Sequence, residues 1–215
     1  MLKKRLIGVV LIKDGLAVQS FRYGKYLPIG KAECMVENLD RWGADEILVL
    51  CIDRSIKNIG PDLRLLKKIS SLGIETPLIF GGGIKDLADG LKVIQNGADR
   101  ICVDALMHND IDVIKELADY LGIQALIGVF PLRMSNKNIE WLDYRSKHST
   151  ELTKEILDTR GQFISEFLIA DWTHDGGKNS FDIEIINKLS DCQIPLIAFG
   201  GISESKQINS LLCIN

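Results

Sequence analysis

Two stretches decide the fold: Thr76-Pro77-Leu78-Ile79-Phe80-Gly81-Gly82-Gly83-Ile84 and Ile194-Pro195-Leu196-Ile197-Ala198-Phe199-Gly200-Gly201-Ile202. Each is a short run that is apolar throughout rather than alternating, as expected for a parallel strand buried on both faces. Each ends in a glycine turn, where backbone N–H groups can cradle a phosphate. Pro77 and Pro195 are 118 residues apart, and Glu46 and Glu166, each opening an apolar run, are 120 apart. A common offset of this size marks a duplicated unit of strands and helices, with half-repeats at about 1–120 and 121–215.

Further apolar runs lie at 6–12, 47–52, 100–103, 125–130 and 167–170. Amphipathic stretches separate them. Pro61-Asp62 starts one, with Leu66, Ile69 and Leu72 on a face and Gly73 at its end. Leu87, Leu91 and Ile94 mark a second, Ile114, Leu117 and Leu121 a third, and a fourth follows Ser149-Thr150-Glu151. Ile183, Ile186 and Leu189 mark a fifth, and residues 203–212 close the series. The reading is an α/β chain with a strand–helix unit repeated seven times in a single domain over residues 1–215. A (β/α)8 TIM barrel needs eight such units to close. The strand at 100–103 begins 17 residues after Gly83, and the same interval after Gly201 runs past residue 215. The expectation is therefore a barrel lacking its eighth βα unit, with strand edges left at 6–12 and 195–199.

A net charge of −3 gives no electrostatic footprint for nucleic acid. No apolar run approaches the roughly 18 residues of a membrane span, and the basic start has no small-residue cleavage site. The five cysteines (Cys34, Cys51, Cys102, Cys192 and Cys213) are widely spaced, and no pair has metal-ligand spacing. Cys51 and Cys102 lie inside apolar runs and read as small core residues, and the chain reads as reduced and cytoplasmic, with no metal or cofactor implied. His108, His148 and His174 are scattered and read as surface residues. Trp141 and Tyr144 are expected to pack under a loop or cap the barrel mouth.

The order Arg5-Leu6-Ile7, Lys13-Asp14-Gly15, Gly43-Ala44-Asp45-Glu46, Phe80-Gly81-Gly82-Gly83-Ile84, Gly97-Ala98-Asp99-Arg100, His174-Asp175-Gly176 and Gly200-Gly201 resembles the cyclase subunit of imidazole glycerol phosphate synthase, the HisF family. The resemblance runs from Arg5 to Gly201. It implies a HisH-like glutaminase partner at the bottom of the barrel and ammonia passing through to a phosphorylated substrate at the top. It further implies one phosphate site on Gly82, Gly83, Asp104 and Ala105 and a second on Asp175, Gly176, Gly200 and Gly201. It also implies a charged ammonia entrance of Arg5, Glu46, Arg100 and Glu166, with Asp99 contacting the glutaminase.

The family's two catalytic aspartates, its general acid and base, fall on Leu11 and Pro131, which transfer no proton. Asp53, Asp171 and His174 are the candidate substitutes. The resemblance thus implies a divergent subunit that keeps the ammonia entrance and serves another acceptor, as in related systems that pair such subunits with a sugar amidotransferase for surface glycans. The histidine-pathway cyclase itself and a non-catalytic scaffold that activates the glutaminase are the alternatives.

Overall fold

A computed structural model describes residues 4–109 and 111–213. One sheet runs through the chain in the order β11-β10-β7-β6-β5-β4-β1-β2-β3, with β8 and β9 added beside β7. Seven of these strands are mutually parallel: β1 (Ile7–Lys13), β4 (Glu46–Cys51), β5 (Leu78–Gly81), β6 (Arg100–Val103), β7 (Leu126–Ser135), β10 (Glu166–Asp171) and β11 (Leu196–Phe199). Their spatial order is their chain order, the signature of a sheet wound by βα units in one direction.

Helices α1 (Ala32–Arg41), α2 (Leu63–Ser70), α3 (Leu87–Gln95), α5 (Ile111–Leu121), α6 (Lys154–Gly161), α7 (Ile183–Lys188) and α8 (Ser205–Leu212) connect the parallel strands or follow the last of them, with a short α4 (Ala105–Asn109) ahead of α5. Their starts follow the local chemistry: Asp62, Asp86, Thr153 and Asp182 cap four of them by accepting from the backbone of the first turn.

Strand alternation sorts the apolar residues into two cores. Phe80, Phe130, Phe167, Ile47 and Ile101 pack outward against the helices. Leu48, Ile79, Cys102, Ile127, Val129, Leu168 and Ala170 pack together on the other face, with Ile7, Val9, Ile197 and Phe199 against them. Because all seven parallel strands contribute to this second cluster, the sheet is curled around it. This is a TIM-barrel-like architecture. Among the described residues β1 and β11 are not paired, and a cleft lined by Ile7, Val9, Leu39, Ile197, Phe199 and Leu212 opens between them.

Four strands were not anticipated. β2 (Leu16–Phe21) and β3 (Lys25–Gly30) extend the sheet after β1, and β8 (Asn138–Asp143) and β9 (His148–Glu151) extend it after β7. The same embellishment thus follows the first strand of each half. Asn136 and Lys137 sit at φ 47° and 72° between β7 and β8, a two-residue hairpin of the primed type. The segment around Ser149-Thr150-Glu151 is strand β9, and the helix after it starts at its Thr153 cap. Trp141 is 3% exposed on β8 and packs against Phe130, ring centres 4.9 Å apart.

Phe130 is fully buried and also meets Phe167 edge-on at 4.9 Å. Phe130→Ala is expected to cost about 3–5 kcal/mol, read as a fall in the urea midpoint. Trp42→Ala, at a 77% exposed residue, is expected to stay within about 0.5 kcal/mol of the parent.

Candidate functional site

The floor of the curled sheet is a closed ring of four charges. Glu46, Arg100 and Glu166 open β4, β6 and β10, and Arg5 precedes β1. Arg5 Nη1 donates to Glu46 Oε1 at 2.9 Å, and Arg5 Nη2 donates to Glu166 Oε1. Arg100 Nη1 lies 3.4 Å from Glu46 Oε1, and its Nη2 lies 2.6 Å from Glu166 Oε2. Arg100 is further fixed by the Gln124 carbonyl at 3.0 Å and Ser165 Oγ at 2.8 Å. The carboxylate side chains are 10% and 11% exposed, Arg100 14% and Arg5 33%. Such groups tolerate burial because each is paired with two opposite charges. Asp99 is exposed beside the ring, its carboxylate accepting the Leu78 N–H at 2.8 Å.

Around the ring the floor carries large exposed apolar groups: Leu6, Trp42, Tyr120 and Ile123 are 53%, 77%, 69% and 43% exposed. Above the ring the interior is apolar, lined by the second core cluster. At the top, Leu11 and Pro131 are both buried and fall on the inward alternation of β1 and β7. They sit where a barrel presents its chemistry, yet neither side chain can carry a proton.

The candidate substitutes face elsewhere. Asp53 accepts the Asp14 N–H at 3.1 Å and pairs with Lys57 at 2.5 Å, and Lys57 reaches Asp14 at 2.5 Å as well. This triangle ties the β1 and β4 ends together, and Lys57 and Lys13 hold Asp14 at about 2, well below the usual carboxylate value. Asp171 points outward from β10 and accepts from Thr173 Oγ1 (2.9 Å), the Asp182 N–H (2.8 Å) and the His174 N–H (3.3 Å). Its Oδ2 also lies 2.7 Å from His174 Nδ1. It organises the β10–α7 loop.

The glycines named for phosphate binding are required by crowding between loops. A Cβ on Gly82 would overlap the Cys51 carbonyl, and one on Gly83 would come within 2.7 Å of the Ile59 carbonyl. Gly200 and Gly201 are likewise pressed on the Asp171 carbonyl (2.6 Å) and Ser180 Oγ (2.7 Å). All four, and Gly176, have positive φ. The Gly83 N–H is occupied by Ser55 Oγ at 3.2 Å. Ala105 opens α4, and Gly176 lies under the β2–β3 turn, its added Cβ meeting the Ser20 carbonyl.

The inward-facing mouth holds polar groups that sequence reasoning undervalued or missed. Burial pushes the Asp104 carboxyl well up, with Asp143 adding to the shift, and burial raises Asp175 as well. The Tyr23 and Tyr144 phenols are raised by burial, and Tyr23 also feels the charges of Asp104 and Asp175. His108 is not the surface residue expected: its side chain is 10% exposed and stacks on Trp141 at 3.7 Å. Desolvation lowers its pKa to about 4. The signal for Asp104 lay in the alternation Arg100, Cys102, Asp104, which puts all three on one face of β6. Among the described residues no group of three or more His, Cys, Asp or Glu side chains is placed to hold a metal ion. None of the described helices is long and apolar enough to cross a membrane.

A model of the family described as "Histidine biosynthesis protein" matches residues 5–214. The chain belongs to this family. Within it the chain is HisF-like. It is 28% identical over 204 residues to a protein of Natranaerobius thermophilus named imidazole glycerol phosphate synthase subunit HisF, covering 94% of the chain and 81% of that protein. A protein of the same name from Pseudoalteromonas translucida is 30% identical over 213 residues, covering 94% and 81%. One from Leptospira borgpetersenii, provisionally given the same name, is 30% identical over 220 residues, covering 99% and 85%.

Two outcomes are expected from this geometry. Arg100→Ala leaves two nearly buried carboxylates with Arg5 as their one remaining cation in the ring and costs up to about 3 kcal/mol, whereas Arg5→Ala, at the more exposed guanidinium, costs less; urea unfolding ranks them. For pH, His108 titrates at about 4 in the fold and near 6.5 when unfolded. Between these values the unfolded chain binds more protons, so His108 makes stability rise with pH across that window. Asp104 opposes this, staying protonated in the fold after the unfolded chain has ionised. His108→Gln should therefore flatten the rise from about pH 4 to about pH 6.5 relative to the parent protein.

Proposed function

We propose that this chain is the synthase-type subunit of a glutamine amidotransferase complex, receiving ammonia from a HisH-like glutaminase docked on the floor of the barrel. The observation that carries this is the closed Arg5–Glu46–Arg100–Glu166 ring, sitting at the foot of an apolar interior. A passage through this apolar interior would favour a small neutral molecule such as NH3 over ions, whose desolvation is prohibitive. Trp42, Tyr120, Leu6 and Ile123 around the ring are the residue types that anchor protein interfaces. Asp99 belongs to the same docking face.

In this reading the fold is a half-barrel duplication in one domain, and the cleft between β1 and β11 is where an eighth βα unit of such a barrel would stand. The glycine turns at Gly82, Gly83, Asp104 and Ala105, and at Asp175, Gly176, Gly200 and Gly201, hold a phosphorylated ligand at the top. The family's proton-transferring aspartates are replaced by Leu11 and Pro131, and Asp53, Asp171 and His174 are committed to loop structure. The chain therefore delivers ammonia to a different acceptor, in the class of a sugar amidated for a surface glycan, with a sugar amidotransferase as further partner and the cytoplasm as site of action. The family names favour a second reading, imidazole glycerol phosphate formation in histidine biosynthesis.

Two assays separate them. Incubation with the ribonucleotide substrate and ammonium salt should give no imidazole glycerol phosphate; appreciable turnover would overturn the divergent role. Mixing with a HisH-type glutaminase should raise glutamine hydrolysis, and Arg100→Ala should abolish most of the rise. No rise on mixing sinks the partnership.

A further inference from the structure

The inward column of β6 ends in an arrangement that strand packing does not require. Among the described residues Asp104 Oδ1 is sealed from solvent and has no hydrogen-bond partner, and the same holds for Nε2 of His108, one helical turn further on. The two atoms lie 4.0 Å apart. That is too far for a hydrogen bond, and it is the spacing left when one small polar molecule sits about 2.8 Å from each.

Neither side chain is placed to close the gap alone. The His108 ring is stacked on Trp141 at 3.7 Å and is bonded to the Leu142 backbone, which its orphaned Nε2 assigns to Nδ1. Among the described residues no lysine or arginine pairs directly with Asp104: the Arg145 guanidinium is held by Asp143 at 2.9 Å and by Asn109 at 3.1 Å. Asp143, Arg145, Tyr23 and Tyr144 face Asp104, and Asp143, Arg145 and Arg160 face His108. Two sealed polar atoms at this separation, each without a partner among the described residues, mark an unsatisfied point in the hydrogen-bond network.

We infer that Asp104 and His108 bind one ammonia-sized molecule, ammonia or ammonium, at the head of the barrel interior. The identity of that ligand rests on the ammonia-receiving role proposed above. A protonated Asp104 gives its proton to NH3: the carboxyl O–H bond breaks, an N–H bond forms, and a carboxylate faces an ammonium ion. The ammonium then donates to Asp104 Oδ1 and His108 Nε2, and Trp141 forms a wall. The inward path from Arg100 past Cys102 ends at this site, so ammonia is held where it leaves the apolar bore.

The test is an NMR titration of the 15N-labelled protein, following the His108 ring nitrogens, with His108→Gln confirming the assignment. Ammonium chloride should shift Nε2 saturably. Sodium chloride at equal ionic strength and methylammonium chloride, one methyl too large, should not. Asp104→Asn should weaken the response at least tenfold; should that variant not fold, the 13C shift of the Asp104 carboxyl in the parent protein should respond to ammonium and lose the response in His108→Gln. A response shared with sodium, or none that saturates, means a bridging water only and overturns the site. Because the salt enters from solution, a positive titration beside failed glutaminase coupling removes the conduit and keeps the site; the converse removes the site and keeps the conduit.

Discussion

Arg5 precedes the first strand and reaches the second and sixth members of the parallel series at once, through Glu46 and Glu166. No backbone pairing joins β1 to β11 among the described residues. At the floor, the clasp across the opening is this guanidinium, with Arg100 completing the circuit from the far side. Each carboxylate has two cationic neighbours, which offsets the cost of withdrawing it from water. The circuit closes the floor beneath the inward apolar cluster.

The interior above it is organised by parity. Once Glu46, Arg100 and Glu166 point inward, Leu48, Cys102 and Leu168 must do so as well, then Leu50, Asp104 and Ala170. The same rule aims Leu11 and Pro131 at the mouth while turning Asp171 and Asp53 away from it. A carboxylate's position along a strand is therefore a weak guide to its task. Asp53 and Asp171 stand near the right height and spend their lone pairs on loop amides, lysine and histidine, while Asp104, facing inward under tyrosines, keeps an oxygen unspent.

Much of this was legible in the chain. The uniformly apolar runs and the glycine turns gave the parallel strands, and the repeat offset gave their two sets. The four floor charges could be named from a resemblance whose motifs keep their order. The hairpins β2–β3 and β8–β9 were not legible, because their alternating polar and apolar residues look like loops between stronger signals. His108 was misjudged because nothing local reveals that α4 presses it onto Trp141, a partner supplied by a later hairpin. The glycines were read for their N–H groups; that an added Cβ at each would also meet a neighbouring carbonyl or hydroxyl depends on loops far away in sequence.

The unjoined flank between β1 and β11 has a consequence for the medium inside. Among the described residues the cleft between β1 and β11 lies open along one side, so the polarity behind it is governed by whatever lies against that cleft. Leu39, Leu212 and the inward faces of β1 and β11 present oily walls there. Coverage of that seam by polypeptide would lower the local dielectric and make each proton on Asp104 harder to remove; water entering along it would do the reverse. The acidity at the mouth is in this way coupled to a surface on the molecule's side.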